Sequence, residues 1–182
     1  YNTLATHLSD SLLISAINLM NESDNLTAEL FVKLMGAMDT IPGTWNNGID
    51  SIKSFLSREV EIDTSRIKLA DGSGVSRYTL TSSDQLISLL TWVYKSQHKN
   101  DFISTLPGGG WPKSTLEKRL VEEGGKVRAK TGGLSGVRNL AGYIESSRYG
   151  PVAFSILMNG YIGSSSKYRY VQNQIVKSLI YD

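Results

Sequence analysis

Lysine, threonine and two glycines in succession make the most chemically pointed stretch of this sequence. Within Val127-Arg128-Ala129-Lys130-Thr131-Gly132-Gly133-Leu134 a β-branched and basic run breaks at adjacent glycines and resumes as an alternating pattern from Val137. Lys130-Thr131-Gly132 is therefore expected at the end of a strand that folds back on itself. An ammonium and a hydroxyl placed there can face one anion together, and glycines without a Cβ let a ligand backbone lie against the strand edge. Lys-Thr-Gly is short enough to arise by chance, so its meaning depends on companions. One candidate companion is Asn21-Glu22-Ser23-Asp24-Asn25, a polar run wedged between two apolar helical patterns, which can present Ser23 and Asn25 from a rigid scaffold. The same residues also suit simple capping of the second helix. Another is Asp71-Gly72-Ser73-Gly74-Val75-Ser76-Arg77-Tyr78, a glycine-punctuated loop rich in hydrogen-bonding groups, which reads equally as a structured turn.

Composition narrows the chemistry. With 19 basic and 17 acidic residues the net charge is +2, and no block of like charge points to nucleic acid or an anionic membrane surface. The absence of cysteine removes thiol nucleophiles, disulfides and zinc-thiolate sites. His7 and His98 alone give a Ser-His-Asp triad or a histidine-rich metal site very little material, so neither metal nor cofactor is expected. Apolar runs such as Leu12-Leu13-Ile14 are far too short to span a membrane. A start at Tyr1 with no basic and apolar leader reads as a processed or trimmed segment.

The elements that must position these residues follow from periodicity. Ser9 and Asp10 are expected to cap a helix whose Leu12, Leu13, Ala16, Ile17, Leu19 and Met20 form a broad, largely buried face. A second helix carries Leu26, Leu30, Phe31, Leu34 and Met35 as far as Gly36, and Ile41-Pro42-Gly43 makes a turn. Ile49, Ile52, Phe55 and Leu56 predict a third helix. Short extended pieces run from Val60 to Leu80, and Thr81-Ser82-Ser83-Asp84 starts a helix with Leu86, Leu89, Leu90 and Val93 inward. The run from Leu106 to Pro112 looks the most flexible, and a short helix is expected around Leu116 to Leu120. Strands around Leu140–Glu145 and Val152–Asn159 complete an antiparallel meander of three. A closing helix from about Ser166 should turn Tyr170, Val171, Ile175, Leu179 and Ile180 inward. Helices, then a meander, then a helix over one sheet face is an α+β arrangement, mostly helical over 1–125, with the sheet and its closing helix over 126–182.

In order and approximate spacing, the Asn21-to-Leu26 run with Ala28-Glu29, the Asp71-to-Tyr78 loop, and Arg128-Ala129-Lys130-Thr131-Gly132 with Leu140-Ala141-Gly142-Tyr143 resemble the D-alanyl-D-alanine carboxypeptidase/endopeptidase family. These are the class C low-molecular-mass penicillin-binding proteins, and Lys-Thr-Gly belongs to the signature of such enzymes. The resemblance covers nearly the whole chain. It implies part of a β-lactamase/DD-peptidase-like fold, and an extracytoplasmic enzyme that cleaves peptidoglycan stem peptides ending in D-Ala-D-Ala and is inhibited by β-lactams. It further implies catalytic roles for Ser23, in proton transfer toward the leaving amine, and for Lys130. Asn25 would bind the substrate amide, Lys130 and Thr131 the terminal carboxylate, and Gly132 and Gly133 would lie along the substrate, Gly133 offering a backbone oxyanion donor. The family often has a small hydroxyl residue where this chain has Gly133.

In that family the acylated serine belongs to a Ser-x-x-Lys pair that precedes Ser-x-Asn. Ser65/Lys68, Ser96/Lys99 and Ser164/Lys167 have the spacing but follow Ser23, so none is assigned as nucleophile. The chain is accordingly expected to be the C-terminal portion of a single DD-peptidase domain, with an N-terminal complement of the same protein carrying the nucleophile. A non-catalytic binding module of the same fold and a β-lactamase are the alternative readings.

Overall fold

The computed structural model describes residues 5–6, 8–37 and 42–181, so His7 and Ile41 of the expected turn lie outside the described residues. Helices α1 (Leu12–Asn18), α2 (Asn25–Gly36), α3 (Trp45–Arg58), α4 (Ser83–Lys95) and α5 (Lys99–Thr105) come first. They are followed by strands β1 (Val127–Leu134), β2 (Val137–Ser146) and β3 (Gly150–Asn159) and by helix α6 (Ser166–Tyr181). The strands form an antiparallel sheet in the order β1-β2-β3. Its hairpin register is set by a tight turn between Leu134 and Val137, where Gly136 takes the left-handed conformation that such a turn requires (φ 72°).

Alternation along β2 sends successive side chains to opposite faces, and each face finds a helix. Leu140 and Ile144 join Val127, Ala129 and Phe154 in a core closed by Val176 and Ile180 of α6 and by Leu116 and Leu120. On the other face Tyr143 packs with Leu90 of α4 and with Leu106 just after α5. The Tyr143 hydroxyl donates to the Leu90 carbonyl at 2.7 Å inside this contact, tying α4 to the middle of the sheet. Burial, with Tyr94 close by, pushes the Tyr143 phenol up to about 12. Helices thus cover both faces, where the sequence suggested one. A satellite cluster of Leu56, Val60, Ile62 and Ile67 joins α3 to α4, with Phe55 edge-on to Trp92 at 5.1 Å.

Several sequence expectations are corrected. Ser11, not Ser9 or Asp10, caps α1, and no residue of α1 is buried. Leu12, Ile14, Leu26, Leu30 and Leu34 are more than half exposed, because a periodic stripe marks an apolar face without supplying a partner for it. On α6 the inner face is Gln172, Val176 and Ile180, whereas Tyr170, Val171 and Ile175 are exposed. Gln172 was invisible to an apolar pattern but is satisfied inside, donating to the Arg138 carbonyl at 3.1 Å and accepting from Arg119 at 3.0 Å. Leu116 to Leu120 form turns rather than a helix, and α5 had no clear signal.

The glycine-rich run after α5 is buried and closely packed rather than flexible. A β-carbon on Gly109 would overlap the Leu120 carbonyl. Gly108 bridges to Arg128, the Pro107 carbonyl accepts from Ala129 at 3.0 Å, and the Arg128 guanidinium stacks 3.9 Å over Trp111. These bonds cover the outer edge of β1 only as far as Ala129.

Replacing Tyr143 by Phe keeps the ring and deletes the bond to α4. It is expected to lower unfolding free energy by about 1 kcal/mol, the net worth of one buried hydrogen bond. Urea denaturation checks this: an unchanged midpoint would mean that the bond does not tie helix to sheet.

Candidate active site

The α1–α2 connection is not the open loop that its polarity suggested. Leu19–Ser23 form a π-helical turn continuing α1, closed by the Asp24 amide donating to the Leu19 carbonyl at 3.2 Å. Asn21 fastens this turn to the body of the protein. Its side chain donates to the carbonyls of Ile17 (2.8 Å) and Thr105 (3.2 Å), and its own carbonyl accepts from Thr115 at 3.0 Å. Asp24 caps α2, accepting from the amides of Leu26 at 3.0 Å and Thr27 at 3.4 Å and from the Thr27 hydroxyl. The Thr27 hydroxyl above all, and then those amides, hold the Asp24 carboxyl below its usual range despite some desolvation.

Capping of α2 therefore falls to Asp24, not to Ser23 or Asn25. Ser23 has φ 60°, a left-handed conformation costing a serine about 1 kcal/mol or more, which the bonds of Asn21 and Asp24 impose. Across from it stands the end of β1. The Lys130 ammonium donates to Ser23 Oγ at 2.8 Å and to the Thr131 carbonyl at 2.9 Å. No carboxylate pairs with Lys130 among the described residues. Burial lowers its pKa from 10.5 to about 8.

Ser23, Asn25, Lys130, Thr131, Gly132 and Gly133 all line one cleft of about 1130 Å³. The loop after Ala70, the β1–β2 turn and the end of β3 complete its walls. All six residues singled out in the sequence are thus brought together. Backbone direction adds a donor. Ala129 sends its N–H outward to Pro107, and alternate residues of a strand point their amides the same way, so Thr131 and Gly133 aim theirs off the uncovered part of the edge and into the cleft.

Two carboxylates shape the opposite wall. Asp71 accepts from the Ser76 amide (2.6 Å), Thr79 Oγ1 (2.8 Å) and Ser73 Oγ (3.2 Å). Glu29, on α2, accepts from the amides of Gly72 (3.1 Å) and Ser73 (3.0 Å) and from the Trp45 indole (2.9 Å). Burial by itself would raise both carboxyls, but these hydrogen bonds outweigh it and hold both below their ordinary values. From the loop they fix, Arg77 reaches the Ser135 carbonyl at 2.9 Å, connecting the loop to the β1–β2 turn. Asn21, Glu29 and Arg77 lay inside the quoted motifs without an assigned role, because residue type alone does not reveal a positioning hydrogen bond. Among the described residues no group of His, Cys, Asp or Glu side chains could hold a metal ion.

With Lys130 at about 8 folded and near its ordinary 10.5 unfolded, the folded protein carries the charge only below about 8. Between those values the unfolded chain binds more protons, so stability rises with pH across that window. Side-chain NMR of ligand-free protein should give a Lys130 midpoint near 8 that moves upward when a carboxylate ligand binds. A midpoint at the ordinary lysine value would contradict the buried, unpaired ammonium.

This chain is similar to several known proteins. A D-alanyl-D-alanine carboxypeptidase of Actinomadura sp. strain R39 is 35% identical over 166 residues, covering 88% of this chain and 30% of that protein. D-alanyl-D-alanine carboxypeptidase DacB of Haemophilus influenzae is 34% identical, over 87% of this chain and 34% of its own length. The chain thus spans about a third of the length of these curated relatives. Penicillin binding protein 4 of Haemophilus influenzae, solved with a bound β-lactam, superposes with a TM-score of 0.86 at 29% identity, covering 97% of this chain and 43% of that one. The profile of the D-Ala-D-Ala carboxypeptidase 3 (S13) family matches residues 1–180, and the chain belongs to that family.

Proposed function

We propose that this chain is the C-terminal portion of a single serine-type D-alanyl-D-alanine carboxypeptidase/endopeptidase domain and forms the substrate cleft of that enzyme. The observation that carries this reading is the 2.8 Å bond between Lys130 and Ser23 in a cleft into which the same strand edge aims backbone amides. In the reaction a serine hydroxyl attacks the carbonyl between two D-alanines, the C–N bond breaks, the terminal D-alanine leaves as an amine, and water hydrolyses the ester. Ser23 relays the proton toward that amine, and the Lys130 charge stabilises the arrangement while it and Thr131 hold the carboxylate. Asn25 binds the substrate amide, Gly132 leaves room for the peptide, and the Gly133 amide supports the developing oxyanion. Peptidoglycan stem peptides are then the substrate, and β-lactams are the inhibitors because their amide opens onto the same serine. No cofactor is needed, and such a substrate implies an extracytoplasmic setting.

The nucleophile is supplied by an N-terminal complement of the same protein. Ser65, Ser96 and Ser164 line no part of the cleft, and their hydroxyls are engaged locally with Asp63 (2.6 Å), the Val93 carbonyl (2.8 Å) and Ser166 (2.9 Å). The exposed leucines of α1 and α2, and a β3 edge with no partner strand among the described residues, support a surface that further chain covers.

In the complete protein, Ser23→Ala and Lys130→Ala are each expected to lower kcat/KM for D-alanine release by roughly 10²-fold or more. Release within tenfold of the unaltered rate would remove both from the mechanism. Residues 1–182 alone should gain no mass on incubation with penicillin, and the upstream fragment should raise their melting temperature. A stoichiometric adduct on the isolated chain, or an unmoved melting temperature, would overturn the two-part reading.

A further inference from the structure

A second cavity, of about 370 Å³, is lined by Asn21, Glu22, Lys113, Ser114 and Thr115. The π-helical turn Leu19–Ser23 stands between it and the cleft, since Leu19, Met20 and Ser23 line the cleft while Asn21 and Glu22 line the cavity. Glu22 and Ser23 are neighbours in the chain, so their Cα atoms are about 3.8 Å apart. The other wall belongs to the segment that covers the edge of β1. Trp111 stacks on Arg128 at 3.9 Å, Ser114 Oγ donates to the Trp111 carbonyl at 2.8 Å, and the Thr115 amide donates to the Asn21 carbonyl at 3.0 Å. The cavity therefore sits off the Arg128 end of the cleft, next to the turn that presents Ser23.

Its polar groups are not spent inside the protein. Glu22 and Lys113 carry opposite charge on the walls of one cavity, yet they do not meet, and neither side chain makes a hydrogen bond or ion pair among the described residues. Thr115 Oγ1 is buried and also has no partner among the described residues. Buried hydroxyls are rarely left unpaired, so this one marks the wall as suited to a polar ligand. Lys113 takes φ 56°, a left-handed conformation that costs a lysine about 1 kcal/mol or more and that the Ser114 and Thr115 bonds on either side of the turn hold in place.

We propose that this cavity is a leaving-side subsite for a cross-linked peptide, one in which the leaving amine belongs to the side chain of a diamino acid in a second stem peptide. This rests on the reading of the cleft as a DD-peptidase site. In that reading the scissile carbonyl lies at Gly133 and the leaving residue at Thr131 and Lys130, so the leaving side of the substrate runs along β1 toward Arg128 and the cavity. A leaving D-alanine carries only a methyl group and ends at the cleft, whereas a diamino acid continues past Ser23. Lys113 then meets a carboxylate of the second peptide, and Glu22 accepts from its N–H groups. The bond between the D-alanine carbonyl and the side-chain nitrogen breaks, the acyl group passes to the serine oxygen, and the freed amine takes the proton that Ser23 relays. Glu22 and Lys113 thus favour cutting cross-links over trimming single peptides.

The test uses the complete protein and two substrates, a single pentapeptide ending in D-Ala-D-Ala and a peptide dimer cross-linked through a diamino acid, with products separated by chromatography to give kcat and KM for each. The double variant Glu22→Gln/Lys113→Gln is expected to lower kcat/KM for the dimer about tenfold, chiefly by raising KM, while the pentapeptide changes by less than about twofold. Lys113→Gln alone should cost the dimer about fivefold, and Lys113→Arg should keep most of the activity. A dimer-to-pentapeptide ratio within twofold of the unaltered protein in the double variant, whether neither rate moves or both fall alike, would overturn the proposal. So would an unaltered protein that cuts the pentapeptide and leaves the dimer whole. Calorimetry with the freed second peptide, the product that carries the diamino acid, is measured separately. If the unaltered protein cuts neither substrate but binds that peptide with a Kd that the double variant weakens about tenfold, the peptidase reading fails and the subsite stands; a Kd that the double variant leaves unchanged would overturn the subsite.

Discussion

An ammonium drawn partly out of water without a carboxylate beside it sets the terms for the rest of this structure. Desolvation disfavours the Lys130 charge, and among the described residues only Ser23 Oγ and the Thr131 carbonyl accept from it. An ion in that condition is stabilised best by an anion that arrives with a ligand. The surrounding structure keeps the ammonium and its hydroxyl partner in register. The Asn21 and Asp24 bonds hold Ser23 in a backbone conformation that serine disfavours, and the pairing of β1 with β2 holds Lys130. The strained residue is the one that meets the Lys130 ammonium, at 2.8 Å.

The sheet contributes more than a platform. Both of its faces are packed, by α6 on one side and by α4 with Leu106 on the other, which leaves the strand edges open among the described residues. Pro107 and Gly108 satisfy the edge of β1 up to Ala129. Beyond that point no backbone pairs with the edge among the described residues, and this part carries the threonine and the two glycines. A segment that looked flexible thus decides where the uncovered edge begins.

Much of the site was legible in the sequence, because strand-breaking glycines, a polar run between helices and a glycine-punctuated loop each leave a local compositional mark. The identity of the cap was not legible, since Ser23, Asp24 and Asn25 are all good caps and only the three-dimensional turn selects Asp24. Burial was misjudged for α1 and α6 for a related reason: periodicity locates an apolar stripe, while exposure depends on what packs against it. The run from Leu106 to Gly109 was misjudged because glycine suggests freedom, whereas here the missing side chains permit the close packing of Gly109 on Leu120.

The most direct test of the account is the crystal structure of the complete protein after reaction with penicillin. The account predicts an ester to a serine that lies outside residues 1–182. It also predicts the drug's carboxylate within about 3 Å of Lys130 Nζ and Thr131 Oγ1, a hydrogen-bonding distance, and the acyl oxygen facing the Gly133 amide. An adduct on Ser65, Ser96 or Ser164, or a carboxylate bound away from Lys130, would contradict it.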